Sequence, residues 1–545
     1  MASSAAGSSG HIGEVKSSDM RLVIAASSAG TIFEWYDFFI YGTLAGIIGK
    51  TFFPAGNPTL QIILVWAGFA VGFGFRPLGA VLFGYLGDRF GRKYTFLATV
   101  ILMGIATAGV GLIPSADSIG IAAPLLVLFL RVLQGLALGG EYGGAAIYVV
   151  EHAPQKRSGY FSSYIQASVV GGFVLSLIVV LSCKAGFSAE AWNGWAWRVP
   201  FLLSILLLAI SLWMRLKLNE SPVFKAMKEA GEVSANPIRE SFTYPGNKKR
   251  IFVALFGVSA GLTVIWYTAM FTGMSFLKGP MRVEDTWAEA IVGAAAVLGL
   301  VFFILAGHVS DRIGRKVPLV TGYVLTLLLL FPIYWLMGSA ANPGQAAAAE
   351  RAPVVVHAYA CPFDPFATKQ ELACGRTLAE LSKLGVPYAL AKTAPRAGFD
   401  DMMPVITAGE GPLIVNSVSD IQPQLEAVGY DFTQHVPSPG NVAIILFCLV
   451  ALSALAGLTF GPTAATLAEM FPPAIRYSSM SIPYHIGTGY FGGFLPLISS
   501  YIIARTGDPY AGLWYTMAIV AFALLVALWG LRNKAESFVS SVSVA

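Results

Sequence analysis

Charged residues are scarce in this sequence. They make up 12% of the 545 residues, whereas 56% are hydrophobic and the mean hydropathy is +0.67. A soluble domain needs more polar surface than this composition supplies, so most of the chain must face lipid or other helices. The sequence also lacks a metal-ligand cluster, a nucleotide-binding glycine loop and a Ser-His-Asp set with plausible spacing. We therefore expect a membrane protein that is not an enzyme, needs no cofactor and does not use ATP.

Long apolar stretches follow one another along the chain. Each has about 20 residues, which is the length that a helix needs to cross a bilayer. They begin near Leu22, Gln61, Thr95, Pro124, Tyr160, Pro200, Ile251, Trp287, Pro318, Asn441, Ser478 and Leu513. This pattern predicts an all-α membrane protein with twelve transmembrane helices.

One basic turn is present twice. Asp88–Lys93 reads DRFGRK after the second stretch, and Asp311–Lys316 reads DRIGRK after the eighth, an offset of 223 residues. A second pair of motifs, each a glutamate followed by a proline and an arginine, begins at Glu151 and at Glu469, an offset of 318 residues. Two copies of one six-helix unit would keep a constant offset. The difference of 95 residues therefore measures an insertion between the two repeated motifs of the second half.

The insertion falls between the ninth and tenth stretches. Within residues 342–440 the apolar runs stop, and charges, prolines and short strand-like or helical patterns replace them. A flexible loop is the simpler interpretation, but structureless loops in compact domains are seldom this long. We therefore predict a small folded subdomain. Cys361 and Cys374 both lie inside it, and an oxidising compartment would permit a disulfide that spacing alone does not establish.

The basic residues indicate the orientation. With the N-terminus in the cytoplasm, the tails and cytoplasmic turns hold 21 of the 35 Lys and Arg residues, and the short outer turns hold six. Positive charge is retained on the cytoplasmic side, so both termini are predicted to be cytoplasmic and the insertion periplasmic. Residues 1–20 lack the apolar core and cleavage site of a signal peptide, and we expect a disordered tail there.

These observations predict an ordered set of segments. They are a cytoplasmic tail (1–20), an N-terminal six-helix half (21–216), a central cytoplasmic loop (217–250), helices seven to nine (251–341), the periplasmic insertion (342–440), helices ten to twelve (441–532) and a cytoplasmic tail (533–545).

Five motifs, taken in order, resemble those of a known transporter group. Besides the basic turns, the sequence has GTIFEWYDF at 30–38, FRPLGA at 75–80, RVLQG at 131–135 followed by GGEYGGA at 139–145, and WRVPF at 197–201. Together they are similar to the metabolite:proton symporters of the major facilitator superfamily. The resemblance covers the chain except its tails and the insertion, and it implies import of organic acids, betaines or related metabolites together with protons. The long insertion is similar to that of haloacid and short monocarboxylate permeases.

The first helix carries the candidates for proton coupling. An ionisable group in the middle of a membrane helix costs about 2.5–3.5 kcal/mol, so it needs a partner, an aqueous cavity or a function. Glu34, Asp37 and Tyr41 lie on one helix face. Two carboxylates this close repel each other and can share a proton near neutral pH. Glu141, in the fourth helix, is a further candidate. The alternative is that Glu34 is only a structural ion-pair partner and that Asp37 lies near the headgroups.

Two arginines are the candidates for binding an anion. Arg131 lies on a polar stripe of the fourth helix with Gln134 and Tyr142, and Arg76 precedes a proline in the second. A guanidinium suits bidentate binding of a carboxylate. The alternative is that each arginine only neutralises Glu141 or a helix end.

The second half has few charges in its helices. The candidates for substrate contact there are Trp266, Tyr267, Tyr484 and His485. Aromatic side chains in membrane helices more often serve packing or the interfacial belt. His485 is distinguished by titrating near physiological pH, so it could relay a proton.

The resemblance also assigns a role to the basic turns. It implies that Asp88, Arg89 and Arg92, and in the second copy Asp311, Arg312 and Arg315, brace the cytoplasmic side of the two halves. Holding positive charge inside is the simpler role.

The function predicted from these features is proton-coupled symport of a small organic anion, with short monocarboxylates or haloacids favoured. Dicarboxylates, 2-oxoglutarate, shikimate-like acids and betaines stay open. A membrane sensor that binds a ligand through the insertion is the alternative from another class. The expected setting is the bacterial inner membrane, as a monomer in lipid that does not bind nucleic acid.

Overall fold

The computed structural model describes residues 17–53, 58–90, 92–140, 146–147, 149–150, 153–216, 236–359, 361–392, 403–409, 411–472 and 475–533. Long helices follow the predicted stretches in order. They are α1 (Ser17–Thr43), α2 (Pro58–Phe83, continuing to Phe90), α3 (Arg92–Leu112), α4 (Ala122–Gly139), α5 (Ser158–Gly186), α6 (Ala196–Met214), α7 (Asn247–Lys278), α8 (Asp285–Ile313), α9 (Lys316–Ala341), α10 (Pro439–Glu469), α11 (Arg476–Thr506) and α12 (Leu513–Gly530).

Among the described residues, ten of these helices are long and apolar enough to cross a membrane. The other two are α1, which carries four ionisable residues, and α3, whose apolar stretch is limited to Leu97–Leu112. Short helices connect the long ones at Ala45–Phe52, Ala116–Ile119, Ala189–Gly194 and Pro237–Thr243. The all-α membrane architecture predicted from hydropathy is therefore present, with α1–α6 forming the N-terminal half and α7–α12 the C-terminal half.

Two helices of the C-terminal half are irregular near their middle. In α7, the π-helical segments Val253–Ala260 and Thr268–Thr272 flank the regular turns of Gly261–Tyr267. In α11, Gly487–Gly493 is π-helical and directly follows the helix that ends at Ile486. Such π-helical segments are frequent at functional sites, so in this half we expect substrate contacts from α7 and α11.

Glycines bring α2 and α4 into close contact. A Cβ atom added at Gly135 would overlap the carbonyl oxygen of Gly72, and one at Gly79 would overlap that of Leu136. Small residues at this spacing let two membrane helices approach closely. The glycines of α4 thus serve packing, and they fix the height at which α2 and α4 present their arginines.

Substituting Gly135 with Ala should destabilise the bundle. The new methyl group meets the backbone of Gly72 in α2, which cannot move as a side chain can, and overpacking of this kind costs about 1–3 kcal/mol. A lower midpoint temperature of aggregation, measured by size-exclusion chromatography of detergent-solubilised protein, is the expected result. Gly46→Ala is the matched control, because nothing lies within 4 Å of a Cβ at that position. Equal stability of the two variants would contradict the packing argument.

Between α9 and α10, the described part of residues 342–438 forms a small α/β unit, which we call the insertion. Its strands are β1 (Val354–Ala358), β2 (Tyr388–Lys392), β3 (Val405–Ala408) and β4 (Gly411–Pro412), in the sheet order β2-β1-β3-β4. Its helices span Pro343–Arg351, Ala373–Leu384 and Ile421–Ala427. β1 and β2 are parallel and are joined by the crossover that contains Ala373–Leu384, as parallel strands require. The other two strand pairs are antiparallel.

The insertion has a hydrophobic core of its own. Val354 and Val356 of β1 and Ile406 of β3 pack with Leu378 and Leu381 of the crossover helix. The structure also joins Cys361 and Cys374 in a disulfide, with 5.3 Å between the two Cα atoms. The disulfide links the loop after β1 to the first turn of that helix.

The insertion rests on the C-terminal half. The hydroxyl of Ser382 donates a hydrogen bond to the carbonyl oxygen of Ala504 (3.2 Å), and Arg282 donates to that of Lys383 (3.1 Å). The ring of Phe366 stacks on that of Tyr501, with 5.3 Å between centroids. We call this end of the bundle the insertion end and the opposite one the basic-turn end.

Candidate transport site

The carboxylates of α1 are buried in the N-terminal half. Glu34 and Asp37 are each only 5% exposed, one helical turn apart. The Oδ1 atom of Asp37 has no hydrogen-bond partner among the residues that the structure describes. Its backbone carbonyl oxygen accepts a weak hydrogen bond from the Thr107 hydroxyl of α3 (3.5 Å). Burial of a carboxyl group whose hydrogen bonds are not all made is costly, so Asp37 is a candidate for a functional role.

Arg131 is fully buried beside α1. Its Nη1 donates hydrogen bonds to Oε1 of Gln134 (2.7 Å) and to the carbonyl oxygen of Phe38 (3.3 Å). The guanidinium carbon lies 4.2 Å from the ring centroid of Phe38 and 4.6 Å from that of Tyr41, which is cation–π distance. Nε and Nη2 lack partners among the described residues. Since Gln134 donates in turn to Thr107 (2.7 Å), one hydrogen-bonded chain links α4, α3 and α1.

Arg76 follows the turn in α2 at Phe75 and is also fully buried. Its guanidinium carbon lies 5.1 Å from the ring centroid of Trp35 and 5.0 Å from that of Phe73. Aromatic faces stabilise a cation that water cannot reach. Arg76 is thereby held at the surface of the N-terminal half that faces the C-terminal half.

A small cavity lies between the two halves. Its volume of about 20 Å³ is enough for about one water molecule, so the site is closed in this conformation. The described residues that line it come from both halves and are Trp35, Phe39, Arg76, Gln166, Val169, Val170, Thr263, Trp266, Tyr267, Phe303, Phe460, Tyr484 and Thr488. Among these residues Arg76 is the one charged side chain, and none is a carboxylate.

Aromatic rings close the cavity across the interface between the halves. Phe39 of α1 lies 5.1 Å from Trp266 and 6.5 Å from Tyr267, measured between ring centroids. Trp266 and Tyr267 are perpendicular neighbours at 4.9 Å. The indole Nε1 of Trp266 and the hydroxyl of Tyr267 have no partners among the described residues. The site therefore combines an apolar wall with donors that a ligand could use.

Some of the residues predicted from sequence line the cavity and others do not. Four line the cavity: Arg76, Trp266, Tyr267 and Tyr484. Six others do not line it: Glu34, Asp37, Tyr41, Arg131, Gln134 and His485. The polar stripe of α4 faces α1 and α3 instead, because the glycines of α4 bring its neighbouring face against α2. His485 is buried behind the cavity wall next to Tyr484. Glu141 and Tyr142 lie outside the described residues.

Sequence reasoning missed several residues of the wall. Gln166 is an amide in the middle of α5, and a polar residue inside a membrane helix is a signal that could have identified it. Thr263 and Thr488 gave no such signal, because a threonine in a membrane helix can satisfy itself on its own backbone. Thr488 does so, donating to the carbonyl oxygen of Tyr484 (2.8 Å).

A polar cluster joins the halves at the basic-turn end. Asp311 accepts hydrogen bonds from the backbone N–H groups of Gly159 (2.9 Å) and Tyr160 (2.8 Å), at the N-terminus of α5. A carboxylate is favoured at the N-terminus of a helix. Arg315 pairs with Asp311 (2.7 Å) and, through two nitrogens, with Glu469 (2.8 and 3.1 Å). These contacts hold α5 of one half against α8 and α10 of the other.

Charge pairing within this cluster outweighs the effect of burial on the pKa of Arg315. Burial lowers the pKa of Arg315, but hydrogen bonds and charge from Glu469 and Asp311 outweigh it and raise the pKa above its ordinary value. Arg312 is exposed, and the part that the sequence assigns to it in bracing the two halves stays a prediction. It follows Asp311 directly in the helix and therefore points elsewhere. The side chains of Asp88, Arg89 and Arg92 lie outside the described residues.

A two-half bundle of apolar helices with a small cavity between the halves is an architecture typical of membrane transporters. Comparison with known proteins agrees. The family model described as "Sugar (and other) transporter" matches residues 22–251. A shikimate transporter of Escherichia coli is 36% identical over 327 residues, which are 59% of this chain and 74% of that protein. The chain therefore belongs to the major facilitator superfamily, among its metabolite transporters, and the resemblance seen in the motifs is confirmed.

Two further comparisons bear on the fold and on substrates. A glycine betaine/proline/ectoine/pipecolic acid transporter of Dickeya dadantii is 36% identical over 330 residues, 59% of this chain and 65% of that protein. The chain thus matches just under two thirds of that relative's length. A partially occluded, inward-open structure of the xylose transporter of E. coli has a TM-score of 0.56 at 16% identity, covering 95% of this chain and 99% of that one. This last likeness shows the fold.

Proposed function

We propose that the protein is a proton-coupled symporter that imports a small organic anion. The observation that carries this proposal is Arg76, a fully buried guanidinium in the wall of the cavity between the two halves. A guanidinium suits bidentate binding of a carboxylate. The N–H of Trp266 and the O–H of Tyr267, which have no partners among the described residues, are additional donors for a carboxylate. The site is therefore complementary to an anion.

The proton is assigned to Asp37, with Glu34 one turn away. Asp37 is nearly excluded from water, and its Oδ1 lacks a partner among the described residues. It lies on the helix that also supplies Trp35 and Phe39 to the cavity wall. Binding or release of a proton at Asp37 can therefore shift the position of α1, and with it the cavity. Arg131, joined to α1 through Phe38 and through the chain of Gln134 and Thr107, would stiffen this helix rather than bind substrate.

Transport then follows from alternate opening of the two ends. The proton and the anion enter from the outside, the halves close around them, and the cluster of Asp311, Arg315 and Glu469 then parts from the N-terminus of α5 to release both into the cytoplasm. Because the hydrogen bonds from Gly159 and Tyr160 to Asp311 join one half to the other, breaking them requires rocking of the halves. The sequence-based assignment of the basic-turn end to the cytoplasm is part of this proposal.

The lining of the cavity bears on the class of substrate. The wall opposite Arg76 is aromatic and aliphatic, which suits a small carboxylate with an apolar or halogenated tail. A second candidate is a betaine, favoured by the rings of Trp35, Phe39, Trp266 and Tyr267 around one cavity, because aromatic faces bind quaternary ammonium groups. The name of the Dickeya relative includes such a compound.

An uptake panel should separate these candidates. Proteoliposomes would be given radiolabelled chloroacetate, propionate, 2-oxoglutarate, shikimate or glycine betaine at two external pH values, with and without a protonophore. The expected result is accumulation of a short monocarboxylate that increases at the lower pH and disappears with the protonophore. Accumulation of betaine alone would favour the second candidate. Accumulation of the monocarboxylate that ignores both pH and protonophore would contradict proton coupling.

A further inference from the structure

Three charged residues meet at the insertion end, outside the transport site. Nζ of Lys184, at the end of α5, lies 2.7 Å from Oε2 of Glu289 near the start of α8. Nζ of Lys278, at the end of α7, lies 2.6 Å from Oε1 of the same carboxylate. Glu289 is only 2% exposed, whereas both lysines are partly exposed. One buried carboxylate thus bridges an ammonium group of the N-terminal half and one of the C-terminal half.

The same pair of helices is joined at the opposite end of the bundle. Asp311, near the end of α8, holds the first backbone N–H groups of α5. Glu289 and Asp311 are 22 residues apart, which is about 33 Å along a helix and close to the thickness of the hydrocarbon core. Between them the helices pack closely, since a Cβ at Gly307 would lie 2.6 Å from the carbonyl oxygen of Gly159. A carboxylate of α8 therefore pins α5 at each end.

We propose that Lys184, Glu289 and Lys278 form a latch between the halves, which must open for substrate to enter from the insertion end and must close before the basic-turn end can open. The three are positioning residues: they act on the cavity through the relative tilt of α5 and α8. The inference needs alternate opening of the two halves, but it does not depend on which substrate is carried or on a proton.

The physical basis is the shared carboxylate. Breaking a buried ion pair leaves a charge without compensation, which strongly disfavours the closed arrangement. Without the charge of Glu289, Lys184 and Lys278 would face each other as like charges from opposite halves. They would repel, so the insertion end should open. Removing the charge of Asp311 should bias the molecule in the opposite direction, because the closed basic-turn end would lose its contact with α5.

Cys183 offers a reporter beside the latch. It neighbours Lys184 at the end of α5 and is half-buried. Of the other cysteines, Cys448 is fully buried, and Cys361 and Cys374 are joined in the disulfide. The rate at which a water-soluble maleimide alkylates Cys183 in detergent-solubilised protein would be measured without substrate. Glu289→Gln should raise this rate about fivefold or more, the lower end of typical coupling between conformations. Asp311→Asn should lower it.

Two further variants test whether charge pairing is the cause. Glu380→Gln is the matched control, because Glu380 also pairs with a lysine, Lys383 (2.9 Å), but within one helix of the insertion. It should leave the rate unchanged. The double exchange K184E/E289K keeps two lysines and one glutamate at the site and should return the rate toward that of the unaltered protein. Unchanged labelling in Glu289→Gln, an equal rise in Glu380→Gln, or no recovery in the exchange would each overturn the latch. Failure of the uptake panel would leave these labelling results unaffected, so the two proposals can fail separately.

Discussion

Replacing Asp37 with Asn should abolish accumulation of substrate while sparing counterflow. Asn has nearly the same shape, but it cannot take up a proton, so the buried site would no longer link transport to the proton gradient. Uptake driven by a pH gradient into proteoliposomes should fall to the level of passive equilibration. Exchange of labelled for unlabelled substrate across the membrane should continue. The pH dependence of this exchange should also disappear.

The matched control is Asp117→Asn, since Asp117 is exposed in the short helix before α4. That variant should accumulate substrate as the unaltered protein does. Undiminished accumulation in Asp37→Asn would refute the assignment of the proton to this residue. Loss of counterflow together with accumulation would instead indicate that Asp37 is needed for the conformational change itself.

Removing the charge of Arg76 should produce the second large effect. A charge-assisted contact with a desolvated carboxylate is worth about 2–5 kcal/mol when one partner is removed, which corresponds to about 30-fold or more in apparent affinity. Arg76→Gln should therefore raise the KM for counterflow by at least about that factor. Arg76→Lys keeps the charge but loses the planar guanidinium, so its rise in KM should be smaller than that of Arg76→Gln.

The control for Arg76 is Arg376→Gln, at an exposed arginine in a helix of the insertion. Its KM should be unchanged. If Arg76→Gln transports a betaine as well as before but no carboxylate, the site recognises the two classes by different groups. A KM for the carboxylate equal to that of the unaltered protein would remove Arg76 from the substrate site.

Much of the fold was predictable because the bilayer restricts it. The length of a span is set by the membrane, so α10 begins at Pro439, two residues from the predicted Asn441, and α9 ends at Ala341, directly before the predicted insertion. The offsets of the two repeated motifs gave the length of the insertion, and the break in the apolar runs gave its place. Its α/β character was predicted only in part: short strand-like patterns were recognised, whereas the pairing of β1 with β2 and β3 depends on contacts between residues distant in sequence.

The site was less predictable, since it depends on how helices face each other. Helical periodicity places Arg131 on a polar stripe of α4, but it does not say which face of α2 or α4 meets the other half. The close approach of Gly135 to Gly72 turns Arg131 toward Phe38 and leaves Arg76 at the cavity. Glu289 was overlooked for a similar reason. Its partners Lys184 and Lys278 are brought to it by the folding of three separate helices.

The insertion leaves and rejoins the helical bundle at nearly one point. Its last residues return to the end of α9, where Nε2 of His435 lies 2.7 Å from the carbonyl oxygen of Ala341. The N–H of Glu284 donates a hydrogen bond to the carbonyl oxygen of His435 (2.9 Å). Because its two ends nearly meet, the module could be excised and replaced by a short linker without pulling α9 and α10 apart. The same geometry explains how a bundle with short connections could acquire the insertion in a single event. It also makes this position suitable for grafting a reporter domain.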